Sequence, residues 1–167
     1  MTIVFTDIVG STAMMERLGE RRWLELMHVH NRLVRDCVVG HGGEVVKSQG
    51  DGFMIVFASA TMALRCGVAL QRVLARHGEV NPEQPLPIRI GIHTGNIYRS
   101  DDDFLGRAVV LAARITGFAG GEEILISEEA RSYTAAVGDW RYGRSEQLRL
   151  KGLTAPQRVH ALDWTSP

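Results

Sequence analysis

Net charge is missing from this chain of 167 residues: 19 lysines and arginines balance 19 aspartates and glutamates. A surface without a basic excess offers no electrostatic footprint for nucleic acid or for an anionic membrane, so neither is expected as a partner. Aromatic residues are scarce at 7%, and no pair of them stands on a central strand, which weighs against an RNA-binding sheet. Cysteine is confined to Cys37 and Cys66, each in a segment with helical apolar spacing. Disulfide frameworks use more cysteines in shorter chains, so two buried thiols in a reducing compartment are expected. No apolar run reaches membrane-spanning length. No charged-then-apolar leader precedes the first strand. The chain therefore reads as cytoplasmic, with no membrane insertion. GxxxxGK[ST] does not occur, which excludes a P-loop. GHGGE at 40–44 follows a helix rather than a strand, so it is no dinucleotide fingerprint.

What is present suits one domain over 1–167. Hydrophobic residues make up 45% and charged residues 23%, ordinary values for a chain long enough to bury a core. TIVF opens a strand, and Ser11 or Thr12 is placed to cap a helix that Gly19 interrupts. Trp23, Leu26, Met27, Leu33, Val34, Cys37 and Val38 then mark one helical face, which Gly40, Gly42 and Gly43 end. EVVKSQ and FMIVFA read as strands joined at Gly50-Asp51-Gly52, with Asp-Gly as the hairpin signal. Ser59 caps a second helix, IRIGIHT alternates as a strand, and RSDDD reads as a polar loop. LGRAVVLAARITGFA is a third helix, EILIS a strand, SEEARSYTA a short helix, and the tail holds two more strand-like runs. The order βαββαβ predicts a ferredoxin-like α+β core: an antiparallel sheet with helices on one face, extended at the C-terminus by further α and β elements.

In such a sheet the first strand lies beside the third. Asp7, at the end of strand one, then comes close to Asp51 in the hairpin. Paired carboxylates with few other ligands suit Mg²⁺ or Mn²⁺, which complete their shells with water and substrate phosphates. Two such ions can activate an attacking oxygen and hold a leaving one. Taken singly, each aspartate also has a plain structural role, as a helix cap or a turn residue. Gly10 leads into a helix whose free N–H groups can hold phosphate, beside Ser11 and Thr12. Lys47 stands in a run that otherwise wants to be a buried strand. Arg114 is flanked on its helix by the apolar residues 108–113 and Ile115 and lies on the same side as Val110, and an arginine so placed suits an interface or a ligand. Asp103 closes an acidic triplet just before that helix. His28 and His30 point to different faces and cannot share a metal, whereas His93 is placed near the candidate site.

FTDIVGST, KSQGDGFMIVF, DDFLGRAVVLAARI, GGEEILIS and LRLKG together resemble the catalytic domain of class III nucleotide cyclases, in order and spacing and over nearly the whole chain. The short loop from HTG to DDFLG resembles bacterial members with a shortened dimerisation arm. The resemblance implies that Asp7 and Asp51 bind two Mg²⁺ or Mn²⁺ ions, with the Ile8 carbonyl as a third ligand. It implies that Lys47 and Asp103 read adenine at N1 and the amino group, where guanylyl cyclases carry glutamate at the lysine position. It implies that Arg114 stabilises charge on the α-phosphate of ATP and that Lys151 contacts the triphosphate. Family members form head-to-tail dimers; one chain supplies the metal side, the other the base-reading and arginine side chains. One position departs from the pattern: an asparagine is expected four residues before the arginine, and Val110 stands there. The resemblance thus implies an adenylyl cyclase. The alternative that Val110 supports is a degenerate cyclase domain acting as a nucleotide-binding or regulatory dimerisation module.

Overall fold

The structure is a computed structural model that describes residues 1–166. Its centre is β1 (Thr2–Ile8), bonded antiparallel to β3 (Gly52–Phe57) on one side and β4 (Ile88–Thr94) on the other. With β2 (Glu44–Gln49) outside β3, the first four strands take the order β2-β3-β1-β4. This is the predicted ferredoxin-like core, with strand one beside strand three. Beyond β4 the sheet continues to seven strands through β7 (Ile124–Ser127), which runs parallel to β4, then β9 (Gln157–Leu162) and β8 (Tyr142–Leu148).

Helices cover both faces, not one. α2 (Glu20–Gly40) and α3 (Ala60–Val80) pack against Val4, Ile8, Phe53, Ile55 and Ile90. α4 (Arg107–Phe118) lies on the other side, where Ala108 and Ala112 meet Ile3, Met54 and Val56. The reason lies in β1: its alternate residues are apolar in both directions, so both faces of the central sheet need cover.

Two local features also differ from expectation. α1 (Ser11–Leu18) is capped by Gly10 in the left-handed region at φ 73°, and neither Ser11 nor Thr12 makes a capping bond. Ser59 does cap α3, accepting from the Met62 amide. The segment RSDDD is not a loop but part of a hairpin, β5 (Tyr98–Ser100) with β6 (Asp103–Leu105). Asp101 turns it at φ 52°, a conformation that aspartate tolerates better than most residues, and Phe104 anchors it in the α4-side core. Cys37 and Cys66 are free thiols, the first half-buried and the second buried. α5 (Glu128–Thr134) completes the helices, and no described helix is long and apolar enough to cross a membrane.

Candidate active site

The candidate site is built around the C-terminal end of β1. Gln49 pairs with Gly52, so the β2–β3 turn has two residues, Gly50 and Asp51. Gly50 takes φ 63° and Asp51 stays out of the left-handed region, the type II′ pattern with glycine first. The turn signal is therefore Gly-Asp rather than the expected Asp-Gly, which leaves Asp51 free to be chosen for its carboxylate. Gly52 is needed for a different reason. A Cβ there would fall 2.8 Å from the Thr6 carbonyl oxygen and 3.7 Å from Asp7 Oδ1. The Asp7 carboxylate thus abuts the turn that carries Asp51.

Asp7 faces a cleft of about 230 Å³ on the α4 side of the sheet, lined with Phe5, Lys47, Arg89, Met54 and Thr116. Asp51 opens into a neighbouring groove of about 410 Å³ with Ser11, Thr12, Trp23 and Met27. One carboxylate oxygen of Asp51, Oδ2, is buried and accepts no hydrogen bond. A buried acceptor without a donor is costly unless a cation or water meets it. Asp7 and Asp51 offer hard oxygen donors, the type that Mg²⁺ and Mn²⁺ take, so these residues fit such an ion. Ile8 buries its side chain, so its carbonyl is the part that could serve as a ligand. Beneath Asp51, His30 is held below the ordinary histidine range by burial, against the opposing effects of its Asn31 bond and the Asp51 charge.

Arg89 escaped the sequence reading. It stands directly opposite Asp7 in the β1–β4 register and donates to Asp7 Oδ2 from Nε at 2.9 Å and from Nη2 at 2.5 Å. The alternation of β4 showed that Arg89 leaves the apolar face, but its partner emerges once the register of the two strands is known. His93 sits opposite Ile3, far along the same pair from Asp7. It is buried against Ser127 Oγ at 2.9 Å, and burial holds its pKa low. The expectation that His93 belongs near the site is thus corrected: it lies outside the cleft.

Lys47 is not in a buried strand. β2 is the sheet edge, and a bulge between Val45 and Lys47 shifts the register so that Lys47 pairs with Met54 on the α4 side. Bulges re-aim side chains in this way. Lys47 Nζ donates to Asp103 Oδ2 at 2.5 Å, while Asp103 Oδ1 accepts from the Phe104 amide at 2.8 Å. The Lys47 hydrogen bond first, and the Phe104 amide second, hold the Asp103 carboxyl below the usual carboxylate range. The pair is assembled within one chain at the edge of the cleft.

Arg114 and Lys151 are not brought to that cleft. The α4 wall of the cleft is made by Ala113, Thr116 and Gly117. Arg114 lies beside this wall, half-exposed, and no ion pair among the described residues involves it. Val110, one turn earlier, is 46% exposed, and Phe118, one turn later, 49%. Lys151 is exposed in the turn between β8 and β9, at the far edge of the sheet from β2.

Residues 1–163 match the family described as the adenylate and guanylate cyclase catalytic domain. A putative adenylate cyclase 3 of Rhizobium meliloti is 32% identical over 165 residues, which cover 98% of this chain and 28% of that protein. The chain spans 19 to 28% of the length of the first curated relatives it matches. Among solved structures, an adenylate/guanylate cyclase/hydrolase from Silicibacter pomeroyi superposes with a TM-score of 0.85 at 29% identity, covering 96% of this chain and 94% of the other. The adenylyl cyclase CyaB from P. aeruginosa superposes with a TM-score of 0.84 at 26% identity, covering 97% and 92%. The chain belongs to the adenylate and guanylate cyclase catalytic domain family.

Proposed function

We propose that this cyclase domain acts on ATP, forming 3′,5′-cyclic AMP and pyrophosphate at sites shared by two copies arranged head to tail. The observation that carries the choice of base is the Lys47–Asp103 pair at 2.5 Å. A lysine donates and a carboxylate accepts, which complements adenine N1 and the adenine amino group; guanine presents the reverse pattern. The head-to-tail arrangement is supported by the position of Arg114 and Lys151, which lie outside the cleft that holds Asp7 and so must act on a second copy's cleft if they act at all.

The reaction breaks the ribose 3′ O–H bond, joins that oxygen to the α-phosphorus in line and expels pyrophosphate, while the hydroxyl proton leaves to solvent. Asp7, Asp51 and the Ile8 carbonyl would hold two Mg²⁺ or Mn²⁺ ions, which when bound lower the pKa of the 3′-hydroxyl and offset phosphate charge. Asp7 keeps Oδ1 for this role while Arg89 holds Oδ2. Arg89 is then a cation already beside the phosphates. The first amides of α1, after Gly10 at Ser11 and Thr12, have no helical acceptor and can donate to phosphate oxygens. Lys151 and Arg114 of the second copy add charge at the triphosphate and at the α-phosphate, where negative charge grows in the transition state.

The purified chain with Mn²⁺ and ATP should release cyclic AMP and pyrophosphate in equal amounts, and a chelator should stop it. Nucleotide binding without turnover would replace this reading with the regulatory dimerisation module that Val110 favours.

A further inference from the structure

On the face of the sheet away from the cleft, α2 and α3 bring together three groups that the nucleotide chemistry does not use. Cys37 lies near the end of α2, His41 follows one turn later as its C-cap, and Cys66 faces them from α3. Cys37 Sγ is 4.0 Å from Cys66 Sγ and 3.8 Å from His41 Nδ1. One ligand atom from each of the three lies within 4.8 Å of the other two. We propose that Cys37, His41 and Cys66 form a binding site for a thiophilic divalent ion of the zinc type, with the fourth position open to solvent.

The donor set decides the class of ion. Two thiolates and an imidazole suit Zn²⁺, and three protein ligands with an open position is a known zinc arrangement. A tetrahedral ion with zinc–sulfur bonds of about 2.3 Å places its two sulfurs roughly 3.8 Å apart, so the observed spacing needs a shift of a few tenths of an ångström. The cluster contains no carboxylate, so Mg²⁺ and Ca²⁺ find no anionic oxygen ligand there. His41 also lines a surface groove of about 470 Å³ with Arg65, Arg72, Arg76 and Trp140, so the cluster meets solvent on its imidazole side.

Proton balance is simple. Binding takes the two sulfurs as thiolates and releases their protons to water. Cys37 is prepared for this: the hydrogen bond from Cys66 first, and His41 after it, bring its pKa down to about 7, against burial. The same contact and burial push the Cys66 thiol up, so Cys66 loses its proton to solvent only as the ion takes the proton's place on the sulfur. His41 Nδ1 lies 2.7 Å from the Cys37 carbonyl oxygen. Binding through Nδ1 exchanges that bond for one to the ion.

The test uses the reduced full chain with excess Mg²⁺ to fill the oxygen sites, titrated with Co²⁺ without oxygen. The expected result is a sulfur-to-cobalt charge-transfer absorption that saturates at one ion per chain and is displaced by Zn²⁺. Cys66→Ala should remove the absorption. Because Cys66 is buried, its folding is checked by circular dichroism. His41→Ala, half-buried beyond the helix end, carries the test if Cys66→Ala does not fold. That variant should weaken zinc binding by more than the ~10–100-fold that loss of an outer partner costs. No charge-transfer absorption, or one that both variants retain, overturns the site. So does a chain that takes up no cobalt and is two hydrogens lighter after mild exposure to air, which would make the pair a disulfide. None of these outcomes depends on cyclase activity.

Discussion

The end of β1 and the outer face of α4 treat their charges in opposite ways. At the end of β1 the charges are matched within the chain: Asp7 with Arg89, Lys47 with Asp103. On α4, Arg114 has no ion pair among the described residues and stands between an exposed valine and an exposed phenylalanine. A charge matched within a chain can be read as half of a site from that chain alone. A charge left open among apolar neighbours suits the surface that the proposed second copy would supply.

The sharpest way to break this contrast is to disable each region separately. Asp51→Ala and Arg114→Ala should each lower cyclic AMP formation by ~10³-fold or more, since metal ligation and transition-state charge are each worth several kcal/mol. Circular dichroism guards against a lost turn at Asp51. Mixed in equal amounts, the two inactive chains should then recover about a quarter of native activity, because half of the dimers are mixed and each has one intact site of two. Recovery near zero, with mixed dimers shown to form, would mean that both regions serve the same chain's cleft.

The contrast was only partly visible in the sequence. β1, the β2–β3 hairpin and β4 announce themselves by alternation and by glycines around Asp51, all signals within a few residues. Arg114 stood out because residues 108–113 and Ile115 around it on the helix are apolar. The Asp7–Arg89 pair did not, since its members are far apart in the chain and meet through strand register. The reason for Lys47 was hidden too: a run of apolar residues cannot say that β2 is an edge or that a bulge turns the lysine towards Met54. The alternation within β1 says that both faces need cover, but which helix covers which face is decided by packing rather than by a local pattern.

A second prediction tests the matched region by itself. If Lys47 and Asp103 read the base, kcat/KM for ATP should exceed that for GTP by ~10²-fold, the cost of reversing donor and acceptor at one edge. Parallel assays with the two nucleotides check this. Equal turnover would leave the pair as a surface ion pair, worth little at its exposure.

The smallest effect is expected at Val110, in the open region. Val110 and Arg114 are one helical turn apart on the same side of α4, and Val110 is 46% exposed, so a polar group there projects towards the same space as the guanidinium. Asparagine and valine are similar in size, and the exposed position has room for either. Val110→Asn therefore adds two donors and an acceptor without disturbing Ala108, Leu111 or Ala112, which hold the helix to the sheet. An interaction made in the transition state raises kcat, whereas one made equally with bound substrate lowers KM alone. The expected result is a rise in kcat of roughly tenfold, equal to ~1.4 kcal/mol of barrier, with KM little changed. A native chain already as active as the variant would show that another group has taken the role of the expected asparagine. A variant that still binds ATP and stays inactive would show that the open region has lost more than one polar group, and the regulatory module would then be the better account of the whole domain.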